Sequence, residues 1–140
     1  MSPGAAKDSP LSAAFEPVRR AARGLPEIEE GLSYGTPALK VRGKLVARLK
    51  EDGELLVLRT DFDSRDAMLR AQPRIFCLTD HYRDYPAVLL RLSAVGPGQL
   101  HELLEDAWRF VAPKSLVARL DSTPPAATRP RAAKGRKRTR

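Results

Sequence analysis

Hydrophobic residues first recur at helical spacing, at Leu11, Phe15, Val18 and Ala22. Ser9-Pro10 precedes them as an N-cap followed by proline at the first helical position. Arg19, Arg20 and Arg23 load the last turn and Gly24 stops it, so the pattern predicts one helix. Leu25 to Gly31 reads as a loop carrying Glu27, Glu29 and Glu30. From residue 32 to 60 the period shortens to two, which predicts three strands punctuated by turns at Gly43 and Gly53. The register that gathers the most aliphatics uses three-residue loops, Val41-Arg42-Gly43 and Glu51-Asp52-Gly53. Leu39 then faces Leu45, Leu49 faces Leu55 and Ala47 faces Val57, all on one side of the sheet. The opposite side carries Lys40, Lys44, Val46, Arg48, Lys50, Leu56 and Leu58, a mixture of cations and aliphatics that suits a partner surface.

Asp61 or Asp63 caps a short helix containing Met68 and Leu69, closed by Pro73. Arg74 to Thr79 and Pro86 to Leu92 read as strands on either side of a polar, aromatic loop, Asp80 to Tyr85. Pro97 opens an amphipathic helix with Leu100, Leu103, Leu104, Ala107, Trp108 and Val111 inward. Pro113 ends it, and Lys114 to Leu120 makes a last short helix. The order is helix, three strands, helix, two strands, helices. Strands joined by hairpins predict an α+β fold, a two-layer antiparallel sheet of five strands with helices on one face. Its core should hold Leu45, Leu49, Val57, Leu104 and Trp108. The expected organisation is a disordered N-terminus (1–8), one domain (9–121), and a Pro-rich linker with a basic tail (122–140).

Charge changes this picture at the C-terminus. The last twelve residues hold seven cations, Arg129, Arg131, Lys134, Arg136, Lys137, Arg138 and Arg140, and no acid. The whole chain carries +8, whereas residues 1–128 hold 18 basic against 17 acidic side chains, a difference of +1. A polycation beside a near-neutral domain predicts a polyanionic partner, nucleic acid above all. Cysteine occurs once, at Cys77, which excludes an intrachain disulfide and fits a reducing cytoplasm. No apolar run is long enough for a membrane span, and MSPGAAKDSP lacks the apolar stretch of a signal peptide. One cysteine and two scattered histidines, His81 and His101, do not make a zinc site, and no glycine-rich phosphate loop is present, so no cofactor is expected.

All three tyrosines lie in two segments, Ser33-Tyr34-Gly35-Thr36-Pro37 and Thr79-Asp80-His81-Tyr82-Arg83-Asp84-Tyr85-Pro86. Tyr34, Thr36, Asp80, His81, Tyr82 and Tyr85 are therefore candidates to line one pocket. Asp80 and His81 have the chemistry for acid–base work, but neighbours on a strand point to opposite faces. Ser33 lacks a nucleophile elbow. Turn-fixing is the expected role of these residues, and the chain is read as a non-enzyme.

The SYGTPALKVRGK and TDHYRDYP stretches, with Ala107-Trp108 and Ala112-Pro113 following, resemble the MmcQ/YjbR family from about Phe15 to Leu120. The resemblance implies an α+β, secretion-chaperone-like fold with the element order above. Members are commonly labelled DNA-binding because their paired hairpins look like a double wing. The resemblance brings no catalytic set and does not reach the basic tail. Two readings follow. One is a DNA-binding accessory protein, weak and largely non-specific, with phosphate contacts from Lys40, Arg42, Lys44, Arg48, Lys50 and the tail. The other is a small-molecule or protein-binding module with its pocket between the two tyrosine segments. The open sheet face is also a candidate surface for a protein partner or a homodimer.

Overall fold

The computed structural model describes residues 10–122; the expected N-terminal disorder and the tail lie outside them. The expected first helix is two pieces, α1 (Pro10–Ala14) and α2 (Glu16–Ala21), meeting at Phe15. Pro17 causes the break, because it has no N–H to give to the preceding turn and its ring crowds the carbonyl four residues back. Phe15 and Val18 are fully buried, and Gly24, at φ +93°, turns the chain out of the helix.

The elements that follow are β1 (Ile28–Ser33), β2 (Thr36–Val41), β3 (Lys44–Leu49), β4 (Leu55–Arg59), α3 (Phe62–Ala71), β5 (Phe76–Cys77), β6 (Ala87–Arg91), α4 (Pro97–Val111) and α5 (Lys114–Ser122). They build one antiparallel sheet in the order β1-β2-β3-β4-β6-β5. The sheet has six strands, not five, because β1 occupies part of the segment expected to be a loop. Ile28-Glu29-Glu30-Gly31 has little strand propensity of its own; β2 supplies the ladder that fixes it. Glu29 and Glu30 stay exposed, and charge on an edge strand discourages pairing with another chain. Asp61 is the N-cap of α3, its carboxylate accepting the Ser64 N–H at 2.7 Å.

Both hairpin registers differ from the three-residue expectation. Val41 pairs with Lys44 across a two-residue Arg42-Gly43 turn in which both φ angles are positive, 51° and 81°. This is the turn whose twist matches that of the strands. The cost to the apolar face is repaired by a bulge. Leu39 pairs with Ala47 but Lys40 with Leu45, leaving Val46 as the extra residue. Val46 and Ala47 both reach the core, while Leu45, opposite Lys40, is only half-buried. In the next hairpin Leu49 pairs with Leu56 and the Lys50 N–H donates to the Leu55 carbonyl at 2.8 Å, which leaves a four-residue loop, 51–54, stabilised by Asp52, whose carboxylate accepts the Glu54 and Leu55 N–H groups at 2.8 and 3.1 Å. Every residue of β4 is thereby turned over relative to expectation. Leu56 and Leu58 join the helix-side core, and Val57 faces the other way.

The helix-side core gathers Phe15, Val18, Leu39, Leu49, Leu56, Leu58, Leu90, Leu104 and Trp108. Trp108 has no exposed surface, and its indole N–H donates to the Pro26 carbonyl at 2.9 Å, tying α4 to the chain entering β1. The second face is not the open surface expected. A smaller cluster of Val57, Ala87 and Leu89 is covered there by Tyr82. That ring comes from the 3₁₀ turn Asp80–Tyr82 that precedes β6.

Candidate functional site

The second sheet face is where the two tyrosine segments are placed, and β3 joins them. Arg48 pairs with Ala38 on one side and Val57 on the other, in the middle of the face. Its guanidinium is 5.0 Å from the Tyr34 ring, and two residues on, the Lys50 ammonium lies 5.8 Å from the Tyr82 ring. Alternation along β3 explains the pairing, since residues two apart share a face. Thr36 belongs to the same network. Its hydroxyl donates to the Ser33 carbonyl at 3.0 Å and accepts from Arg48 Nη1 at 2.9 Å.

Asp80 and His81 take other partners. The Asp80 carboxylate is paired with Arg83, three residues on. The exposed His81 ring sits edge-on to Tyr82, 4.7 Å between centroids, and Tyr85 approaches Tyr82 from 6.0 Å. The loop is held from below by Arg65 of α3, whose Nη1 donates to the carbonyls of Arg83 and Tyr85 at 2.9 and 3.3 Å. Arg59 adds a bond from Nε to the Pro86 carbonyl at 3.1 Å. Sequence reading missed Arg65 and Arg59 because their partners are backbone carbonyls about twenty or more residues away. Only an arginine at a helix position that ought to be solvated could have drawn notice.

The hairpin cations do not form one solvent-facing surface. Arg48 is buried. Arg42 is locked on Glu27 through Nε and Nη2, at 2.8 and 3.1 Å. Lys40 Nζ donates to the Leu32 carbonyl at 3.1 Å, Lys50 caps Tyr82, and Lys44 is exposed beside the turn. Two of the three acidic residues before β2, Glu27 and Glu30, are likewise engaged by arginines. Glu27 also meets Arg119 at 3.4 Å, and Glu30 takes both Nε and Nη2 of Arg19, at 2.7 and 2.8 Å. The hydrogen bond from Arg42 holds the Glu27 carboxyl below the usual carboxylate range, against partial desolvation. The tail residues Arg129, Arg131, Lys134, Arg136, Lys137, Arg138 and Arg140 lie outside the described residues. Among the described residues no helix is long and apolar enough to cross a membrane.

Arg48 is the one group in this network with unfinished chemistry. Its side chain is 6% exposed, its contact to Glu51 is 3.6 Å, beyond hydrogen-bond length, and its buried Nε has no partner. Tyr34 above it is 85% exposed and holds a φ of 54°, a conformation that favours glycine, asparagine or aspartate. An exposed tyrosine there lacks a packing reason other than its stack on Arg48.

Three comparisons bear on identity. The family model described as YjbR matches residues 23–110. Two curated proteins, "Uncharacterized protein Rv2570" of Mycobacterium tuberculosis and "Uncharacterized protein Mb2600" of Mycobacterium bovis, are each 36% identical over 66 residues, 46% of this chain and 51% of theirs. The chain thus spans about half the length of the curated relatives it matches. A crystal structure of Deinococcus radiodurans protein DR2400, with family-model domain DUF419, superposes with a TM-score of 0.59 at 20% identity, covering 74% of this chain and 84% of that one. At that identity the likeness speaks to the fold, which is the one described above.

Proposed function

The chain belongs to the YjbR family, and from that footing we propose that it is a non-catalytic DNA-binding accessory protein whose affinity resides mainly in its basic tail. The observation that carries this reading is the partition of charge, seven cations in the last twelve residues against a difference of +1 over residues 1–128. The disposition of the hairpin cations supports giving the tail the greater weight. A carboxylate-locked Arg42 has little left to offer a phosphate, and Arg48, buried beside Tyr34, does not present itself to a duplex backbone. A tail that contacts phosphates does not read base edges, so discrimination between sequences is small.

The test is duplex binding by the full chain and by a chain lacking residues 129–140, over a salt series. If most tail cations neutralise phosphates, log K against log[salt] falls with a slope of about −0.9 per contact, so roughly −5 to −6 in total. Deleting the tail flattens the slope and lowers affinity by orders of magnitude at low salt. Unchanged binding by the shortened chain would move the activity to the domain and refute the assignment to the tail.

A further inference from the structure

We propose that Arg48 is the anchor of an oxyanion site on the second sheet face, taking a phosphate or carboxylate group carried beside a flat ring. Elsewhere in this protein arginine grips carboxylates side-on. Arg19 grips Glu30, and Arg42 grips Glu27, each through the side-on fork of Nε and Nη2. That fork matches the two oxygens of a carboxylate or phosphate. In Arg48 the same fork is incompletely filled. Nη1 is committed to Thr36 Oγ1, and to the Ser33 carbonyl at 3.4 Å. Nε has no partner, and Nη2 has only the 3.6 Å contact to Glu51. A buried guanidinium N–H left unpaired is costly, whereas the two better-solvated forks are filled.

The surroundings fit an entering anion. Thr36 and Ser33 hold the guanidinium in place from its far side, so binding need not order it. Glu51, 62% exposed on its side chain, is an internal competitor that can swing into solvent. Tyr34 covers the guanidinium from one side and shows its remaining surface to solvent. It can move aside at little cost and offers a ring on which a planar group can stack. Lys50, on the same face of β3, adds a second positive charge. This site is independent of the tail, and its readout is the arginine itself.

The experiment follows the arginine Nε–H resonances of the ¹⁵N-labelled full chain by NMR, with Arg48 assigned through its own side-chain correlations. Inorganic phosphate, adenosine 5′-monophosphate and benzoate are each titrated in. The Arg48 signal should move saturably while those of Arg19 and Arg42, already locked on carboxylates, stay in place. A ring stacked on Tyr34 should make the matching probe roughly five- to 150-fold tighter than inorganic phosphate, from the usual strength of base–aromatic stacking. A preference for the nucleotide identifies a phosphate source, and a preference for benzoate a carboxylate source. Tyr34→Ala, at an exposed position, should erase the preference, and Glu51→Gln should tighten all three probes. An Arg48 signal indifferent to every probe overturns the site. Probes that bind equally, with or without Tyr34, overturn the stacking role.

Discussion

Removing the indole of Trp108 is the sharpest test of the packing described above. Trp108 is fully buried between α4 and the sheet, and its N–H bonds the Pro26 carbonyl across 82 residues of chain. A buried aromatic side chain removes roughly 150–250 Å² from water. At about 25 cal/mol per Å² that gives ~4–6 kcal/mol, an upper bound because an unfolded chain is already partly compact. Truncations of large buried aromatics cost about 3–5 kcal/mol, so Trp108→Ala should fall in that range. Trp108→Phe keeps much of the volume but leaves the Pro26 carbonyl without its donor, which should cost about 1–3 kcal/mol. Trp108 is the only tryptophan in the chain, so its fluorescence disappears with it, and urea unfolding must be followed by far-ultraviolet circular dichroism. With m of about 1–3 kcal/mol/M, the alanine variant should lose about 1 M or more from its midpoint, or be unfolded at the start. A loss below about 1 kcal/mol for Trp108→Ala, or a phenylalanine variant weaker than the alanine one, would refute the placement of this residue.

Arg65→Met should release the Asp80–Tyr85 turn while sparing the main core, because the side chain's bonds go to the Arg83 and Tyr85 carbonyls. A cost of about 1.5–3 kcal/mol is expected, with faster amide exchange at Tyr82 and Tyr85; unchanged exchange there would count against the anchoring role. Glu27 should titrate below the usual carboxylate range because Arg42 bonds its charged form. Its folded value is depressed, so its contribution to stability is complete above the ordinary carboxylate pKa and is lost as pH falls through the depressed value. Arg42→Gln should bring the Glu27 titration, read by side-chain carbonyl NMR, back up toward the ordinary value, and a titration that stays put would show that the pair does not set it.

Much of the architecture could be read from periodicity. The α4 stripe from Leu100 to Trp108, the Asp61 cap, Pro73 and Pro97 as boundaries, and the hairpin succession each follow from a local rule, and local rules act on residues close in sequence. The tyrosine segments could be singled out by composition, and the charge of the tail by counting. What tertiary structure alone decided was pairing. β1 exists because β2 is beside it, not because Glu29, Glu30 and Gly31 favour a strand. The pattern favoured a three-residue loop over the two-residue Arg42-Gly43 turn, because the bulge at Val46 that makes the tighter turn compatible with the core leaves no mark on an alternating pattern. A shift of one residue in the β3–β4 loop then exchanged Val57 for Leu56 and Leu58 on the helix side. The fate of the cations was decided in the same way. Sequence gives Arg42 and Arg48 the same charge and nearly the same neighbourhood. Only the folded sheet sets one against Glu27 in solvent and buries the other under Tyr34 with part of its guanidinium unpaired.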